Sequence, residues 1–229
     1  MDNLYEDEIK NSVLHNQELF ENDVGKLGQS CILYEKKLNK WVISDVLLCS
    51  STKGIIGIEI KTIHDTLARL PHQLESYSLV CNYVYVLCQD KLIDKVKHLL
   101  AELKLYWVGL ISYEEFESAP LLGLIKPATL SPRVNTKDSS RLLWRSERAN
   151  ILKYLGGSTY YTRKSLSYHF NRIPTAQAQR LIASLYAYHK TSLSHPLQRY
   201  HFHDTYVHDT TGYNVWLNRK KALAYGGLA

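Results

Sequence analysis

Val42-Ile43-Ser44-Asp45-Val46-Leu47-Leu48 and Gly54-Ile55-Ile56-Gly57-Ile58-Glu59-Ile60-Lys61 are two apolar runs that carry three charged groups. A charge in such a run is costly to bury unless it is paired or binds a metal. Asp45, Glu59 and Lys61 together make a set able to hold Mg²⁺ and to activate a water for attack on a phosphodiester. Strand side chains alternate, so Glu59 and Lys61 share one face while Ile58 and Ile60 take the other. A hairpin with Cys49 to Lys53 as its loop sets Leu48 opposite Gly54 and Asp45 opposite Gly57. Asp45 is then a diagonal neighbour of Glu59, and Gly57 leaves open space for a metal. Pairing of Asp45 with Glu59 keeps the same face, whereas a one-residue slip turns Asp45 away. The competing reading is two ordinary strands with charges at a sheet edge.

The segment that follows, Asp65-Thr66-Leu67-Ala68-Arg69-Leu70-Pro71-His72-Gln73-Leu74-Glu75-Ser76-Tyr77, adds an ordered set of residues. With Gln73-x-x-x-Tyr77 soon after the Glu-x-Lys strand, the chain resembles the PD-(D/E)XK, or restriction-endonuclease-like, nuclease superfamily and its RecB-type branch. Arg69-Leu70-Pro71 and Tyr106-Trp107-Val108-Gly109-Leu110 make it similar to an uncharacterised bacterial and phage family of that superfamily. The resemblance spans roughly residues 4 to 190 and is clearest before residue 112. Ser44 stands where the superfamily's naming proline would be, which weakens the motif more than it weakens Asp45.

The resemblance implies a metal-dependent nuclease acting on DNA, with RNA as a further candidate substrate. Asp45 and Glu59, with the Ile60 carbonyl, are then ligands for Mg²⁺ or Mn²⁺. Lys61 orients the attacking water or stabilises charge on the phosphate. Gln73 and Tyr77, one helical turn apart, can address the same site. In such folds an acid from the first helix often completes the metal site, which makes Glu8 a candidate ligand. Glu35 faces either the site or Lys36 and Lys37. The alternative function is a DNA-binding regulator or adaptor whose nuclease-like core no longer cuts.

Composition sets outer bounds. At 229 residues and 45% hydrophobic content the chain can build a sizeable core. Cys31, Cys49, Cys81 and Cys88 show no Cys-x-x-Cys spacing, so buried free thiols in a reducing cytoplasm are expected rather than zinc or disulfides. The N-terminus is acidic and lacks a signal-peptide pattern, and no apolar run approaches the ~18 residues of a membrane span. Residues 1–130 hold 13 Lys/Arg against 18 Asp/Glu, and residues 131–229 hold 15 against 4. Those balances, −5 and +11, give the overall +6. Such a split suggests that the basic part grips a polyanion.

The periodicities predict a helix over 4–21, strands over 31–35, 42–48 and 54–61, and a helix over 66–79 with Pro71 near its start. They continue with a buried strand over 83–88, a helix over 91–104 and a strand over 105–111. The order implies an α/β three-layer core with a central mixed sheet, residues 1–130, followed by a smaller helical domain, residues 131–229. Leu130 to Ser140 reads as the linker.

Thr162 to Phe170, the turn Asn171-Arg172-Ile173-Pro174 and the helix beyond fit a helix-turn-helix, with Arg163, Lys164, Arg172 and Arg180 as DNA contacts. Tyr206-Val207-His208 and Tyr213-Asn214-Val215-Trp216 read as the wing of a winged helix. A helical bundle packed on the core is the equal alternative. His195, His201, His203 and His208 with Asp204 and Asp209 fit no standard zinc spacing. A homo-oligomer is compatible with the sequence, and a membrane partner is not expected.

Overall fold

The first three strands, β1 (Ser30–Tyr34), β2 (Val46–Ser50) and β3 (Gly54–Lys61), form an antiparallel meander in a computed structural model that describes residues 6–116, 119–158 and 160–189. The predicted hairpin is present with a shorter turn, Ser51 to Lys53. Its pairs are Ser50 with Gly54, Leu48 with Ile56 and Val46 with Ile58. This register differs by two residues from one with Leu48 opposite Gly54. A two-residue shift keeps every side chain on its face. The Ser50 hydroxyl accepts the Lys53 N–H at 2.9 Å and holds the turn, and Gly54 supplies its φ of +81°.

Two parallel crossovers follow. Helix α3 (Leu70–Val80) carries the chain from β3 to β4 (Tyr83–Gln89), and α4 (Ile93–Glu102) carries it to β5 (Gly109–Phe116). Pro71 sits in the first turn of α3, where its missing N–H costs nothing. Antiparallel β6 (Ala119–Lys126) completes a six-stranded mixed sheet in the order β1-β2-β3-β4-β5-β6. The strand expected over 105–111 starts later, because Leu105 to Val108 forms a turn closed by Val108 N–H to the Leu105 carbonyl at 3.2 Å. Strand β6 was not expected from the sequence. Pro120 and Gly123 disguise it, and both are tolerated on an edge strand.

Helices cover both faces of the sheet. Ile56, Ile58 and Ile60 pack against Ile9, Val13 and Phe20 of α1 (Glu6–His15) and α2 (Gln17–Val24). The single helix expected over 4–21 is thus two, parted at Asn16, whose φ of −112° and ψ of 37° leave the helical region. On the other face Leu47, Cys49 and Ile55 join Leu74 and Tyr77 of α3 in one cluster.

That same cluster contains Ile151, Leu166, Phe170, Ile182, Leu185 and Tyr186. These belong to α6 (Arg145–Tyr154), α7 (Arg163–Phe170) and α8 (Thr175–His189), which follow the one-turn α5 (Thr136–Ser139). The described residues beyond 130 therefore share the sheet's core, which corrects the expected separate domain over 131–229. The expected linker is also tied down. Ser131 N–H bonds the Asn82 carbonyl at 2.7 Å, Asn135 N–H bonds the Leu79 carbonyl at 3.1 Å, and the Ser139 hydroxyl bonds the Val80 carbonyl at 3.1 Å.

Helix α8 occupies the recognition position of the expected helix-turn-helix, yet every residue from Leu181 to Ala187 is buried. The helix is thus packed into the core along that stretch, while Ala176, Gln177 and Arg180 stay exposed near its start. Of the two alternatives, helices packed on the core is the one observed. The expected wing over 206–216 and the His/Asp set over 195–209 lie outside the described residues. No helix among the described residues is long and apolar enough to cross a membrane.

Candidate active site

Asp45 immediately precedes β2, and continuing the ladder beyond Val46 and Ile58 sets it opposite Glu59. Its Oδ2 accepts the Ile60 N–H at 2.7 Å. The carboxylate thus takes the place a β2 carbonyl would have filled had the strand run on. Tyr77 fixes the same corner from α3. Its hydroxyl accepts the Asp45 N–H at 2.9 Å and donates to the Ile58 carbonyl at 3.2 Å. One buried phenol therefore ties the start of β2 to the middle of β3.

Gly57 makes that tie possible. A Cβ built there would lie 2.4 Å from Tyr77 Cδ1 and 2.8 Å from Cys81 Sγ. The space expected for a metal beside Gly57 is filled by the Tyr77 ring, which corrects that expectation. Gly57→Ala should push α3 off the sheet and cost about 1–3 kcal/mol, the usual range for overpacking. Chemical denaturation would measure it, and a stability equal to the parent would contradict the close contact.

Glu59 and Lys61 lie on one face of β3, as the alternation predicts. Both are buried, with side-chain exposures of 0% and 5%, and Lys61 Nζ stands 2.6 Å from Glu59 Oε1. The ammonium also donates to the Ile60 carbonyl at 3.2 Å. Glu59 Oε2 is buried with no hydrogen-bond partner among the described residues. Tyr77 lies near enough to favour the ionised Glu59, but its one proton is directed at the Ile58 carbonyl.

Burial raises the pKa of both acids. Asp45 is pushed up to about 8, first by desolvation, although one side of the residue keeps solvent access, and then by the Glu59 charge. Glu59 is raised by desolvation against the opposing pull of Lys61.

A second charged group abuts the first. Lys10 of α1 is buried and pairs with Glu6 at 2.5 Å and Glu35 at 3.2 Å. Desolvation opposes its charge, but the two acids outweigh it and its pKa is raised. Glu6 also raises the Asp45 pKa. Glu6 thus acts on Asp45 from α1, and Glu8, the acid expected from that helix, is exposed as Glu6 is. Glu35 pairs with Lys10 rather than with Lys36 or Lys37, and sits in the left-handed region at φ 51°. The Glu6-x-x-x-Lys10 spacing was the available signal for this pair.

Asp45, Glu59, Ile60, Lys61 and Tyr77 are thus brought together. Gln73 lies one turn before Tyr77 on α3, with its Oε1 buried and without a hydrogen-bond partner among the described residues. Arg163, Lys164, Arg172 and Arg180 are all exposed on α7, the following turn and α8. Arg172 donates to the Tyr168 hydroxyl at 2.8 Å.

As a cation site the centre offers two carboxylates and a backbone carbonyl. These are hard oxygen donors of the kind Mg²⁺ or Mn²⁺ takes, with waters completing the shell. The orphaned Glu59 Oε2 fits such a role. No group of three His, Cys, Asp or Glu side chains that could hold a metal occurs among the described residues. All four cysteines are buried, and no disulfide occurs among the described residues.

No curated protein matches the chain. Among solved structures, a protein of unknown function from Silicibacter pomeroyi is similar at 13% identity and a TM-score of 0.40, covering 70% of this chain and 98% of that one. The centre built around Asp45 and Glu59 lies within residues 1–203, which match the family described as Bacteriophage P4 protein cII, and the chain belongs to that family.

Proposed function

We propose that the chain is a metal-dependent nuclease that hydrolyses DNA phosphodiester bonds on a restriction-endonuclease-like core. The observation that carries this is the Asp45 carboxylate, held on the Ile60 N–H close enough to feel the Glu59 charge, with one Glu59 oxygen orphaned in the interior. Buried polar atoms are normally satisfied, and an unsatisfied carboxylate oxygen marks a place where a ligand belongs. Asp45, Glu59 and the Ile60 carbonyl would hold Mg²⁺ or Mn²⁺. When bound, the ion supplies Lewis acidity and lowers the pKa of a bound water. Tyr77 keeps Asp45 in register with Glu59. Lys61, released from Glu59, stabilises negative charge on the phosphate. The exposed Arg163, Lys164, Arg172 and Arg180 supply long-range attraction for the polyanion.

A second reading draws on the complete burial of Glu59 against Lys61. There the pair is structural, and the chain is a DNA-binding regulator or adaptor that does not cut.

Cleavage of plasmid, linear duplex, single-stranded DNA and RNA separates the two. The parent protein should cut at least one substrate with Mg²⁺ or Mn²⁺ and none in a chelator. Glu59→Gln and Asp45→Asn should each lower the rate by at least ~100-fold, the scale of losing one charge-stabilising group. Absence of metal-dependent cleavage on every substrate would leave the regulator reading. The pH sets a further expectation. Asp45 has a folded pKa of about 8 against an ordinary 3.8. Proton uptake therefore stabilises the cation-free fold fully below the ordinary value, and that contribution is lost as pH rises through about 8. The cation competes with that proton, so Mn²⁺ affinity should rise over the same interval.

A further inference from the structure

A groove of about 530 Å³ opens between the start of α6 and the segment leading into α7. Trp144, Tyr160 and Tyr161 wall it, with Ala149 and Leu166 as its floor and Arg145 at its edge. Trp144 is 45% exposed and Tyr160 77% exposed. Large aromatic surfaces left open to water around a concavity mark a binding site more often than a packing accident.

The electrostatics name the partner. Residues 141–172 hold seven Lys/Arg and one acid, Glu147. Glu147 is buried, and its Oε2 accepts the Trp144 N–H at 2.6 Å, so it caps α6 from inside. Arg148 lies one position beyond, with its Nε buried and without a hydrogen-bond partner among the described residues. Desolvation, Arg163 and Arg145 oppose its charge and outweigh the favourable pull of Glu147. An anion at the rim would relieve that repulsion. Arg145 donates to the Tyr161 carbonyl at 2.9 Å, which fastens one wall of the groove to α6.

Flat aromatic walls with Arg145 in the lining, and with Arg148 and Arg163 near enough to one another to interact, suit a planar ring attached to a phosphate. We infer that this groove binds an unpaired nucleobase of a single-stranded nucleic acid, with Arg145, Arg148 and Arg163 on the flanking phosphates. In duplex the bases are already stacked on one another and cannot enter, so duplex meets only the basic rim. Stacking on aromatic side chains recognises any base by its π-face and carries little sequence preference. The site shares no residue with the centre at Asp45 and Glu59, and binding there requires no cleavage.

The test uses the full chain in a chelator, so that no strand is cut. Anisotropy of a labelled oligothymidylate, its duplex with oligoadenylate, and a labelled oligouridylate gives the three affinities. The single strands should bind more tightly than the duplex. Tyr160→Ala should weaken single-strand binding about 5- to 150-fold, the range for losing one stacked base. Duplex binding should hardly change. Tyr160→Phe keeps the ring and should bind as the parent does, which a general loss of charge or fold would not allow. Weakening of the DNA strand, the RNA strand or both supports the inference and identifies the sugar accepted. Equal affinity for strand and duplex, unaltered by Tyr160→Ala, would overturn it. Cleavage assays bear on none of these outcomes, so the failure of one proposal is distinguishable from the failure of the other.

Discussion

Lys61→Ala should destabilise the metal-free protein by about 3–5 kcal/mol, because it strips the counter-charge from a carboxylate that has no exposed surface. In a chain of 229 residues that corresponds to a fall in Tm of roughly 6–20 °C. The same variant should respond more strongly to Mn²⁺ than the parent does. In the parent, the ammonium lies 2.6 Å from Glu59 Oε1 and 3.2 Å from the Ile60 carbonyl, so it already occupies the position a cation would take. On the proposed reading, an ion must displace it before binding. In Lys61→Ala that competitor is gone, and ion at a hundredfold excess over its Kd returns about 2.7 kcal/mol. Glu59→Gln combined with Lys61→Met removes both charges. It should be near neutral for stability and silent to Mn²⁺, as buried pairs replaced by packed neutral groups usually are. Thermal unfolding with and without Mn²⁺ reads all three. Lys61→Ala melting at the parent temperature in a chelator would mean that the pair carries no structural weight.

The parts of this centre that a linear pattern can encode were legible in the sequence. Alternation along 54–61 placed Glu59 and Lys61 on one face, and only the even-numbered register shifts kept Asp45 with them. The observed two-residue shift is one of these. What the pattern could not supply was the third dimension above Gly57. A glycine in a strand signals close approach, but whether of a metal or of a ring depends on a helix 20 residues downstream. Here Tyr77 fills the place. The pairing of Lys10 with Glu35 was missed for the same reason. Their partnership joins α1 to the end of β1, and nothing local to either segment announces it.

The fold divides along a similar line. Strands β1 to β4 and the helix α3 follow from runs of apolar residues with clear stops. Strand β6 is an exposed edge carrying Pro120 and Gly123, so it lacks the composition of a buried strand. The greater failure concerns the region after residue 130. Its basic charge and its Ser/Thr-rich start suggested a detached module. Charge describes a surface, however, and the inward side of α8 is written in Ala178, Ala183, Ser184 and Ala187 as much as in leucine. Small residues let a helix approach a sheet closely, and they leave only a faint amphipathic signature.

A chain ending near Arg133 should therefore fail to fold, rather than persist as a core with weaker affinity for nucleic acid. Such a truncation removes Ile182, Leu185 and Tyr186, all 0% exposed, and Leu181 at 7%. Four large side chains at about 1.5–3 kcal/mol each come to roughly 6–12 kcal/mol of lost burial. That is the scale of the whole net stability of a typical domain, about 5–15 kcal/mol. It would also uncover Leu33, Leu47 and Ile55, which share their cluster with α8. The residual chain would expose the middle of a sheet, with β2 and β3 open on one face. The point variant Leu185→Ala isolates the contact without removing any basic residue. It should cost about 2–5 kcal/mol, the range for truncating a buried leucine. Arg180→Glu on the exposed side of the same helix should leave stability within about 0.5 kcal/mol. Denaturant titration of the three proteins gives the ordering. A truncated chain that unfolds cooperatively at the parent midpoint would show that α8 adds nothing to the core, and that residues 1–130 stand as a domain of their own.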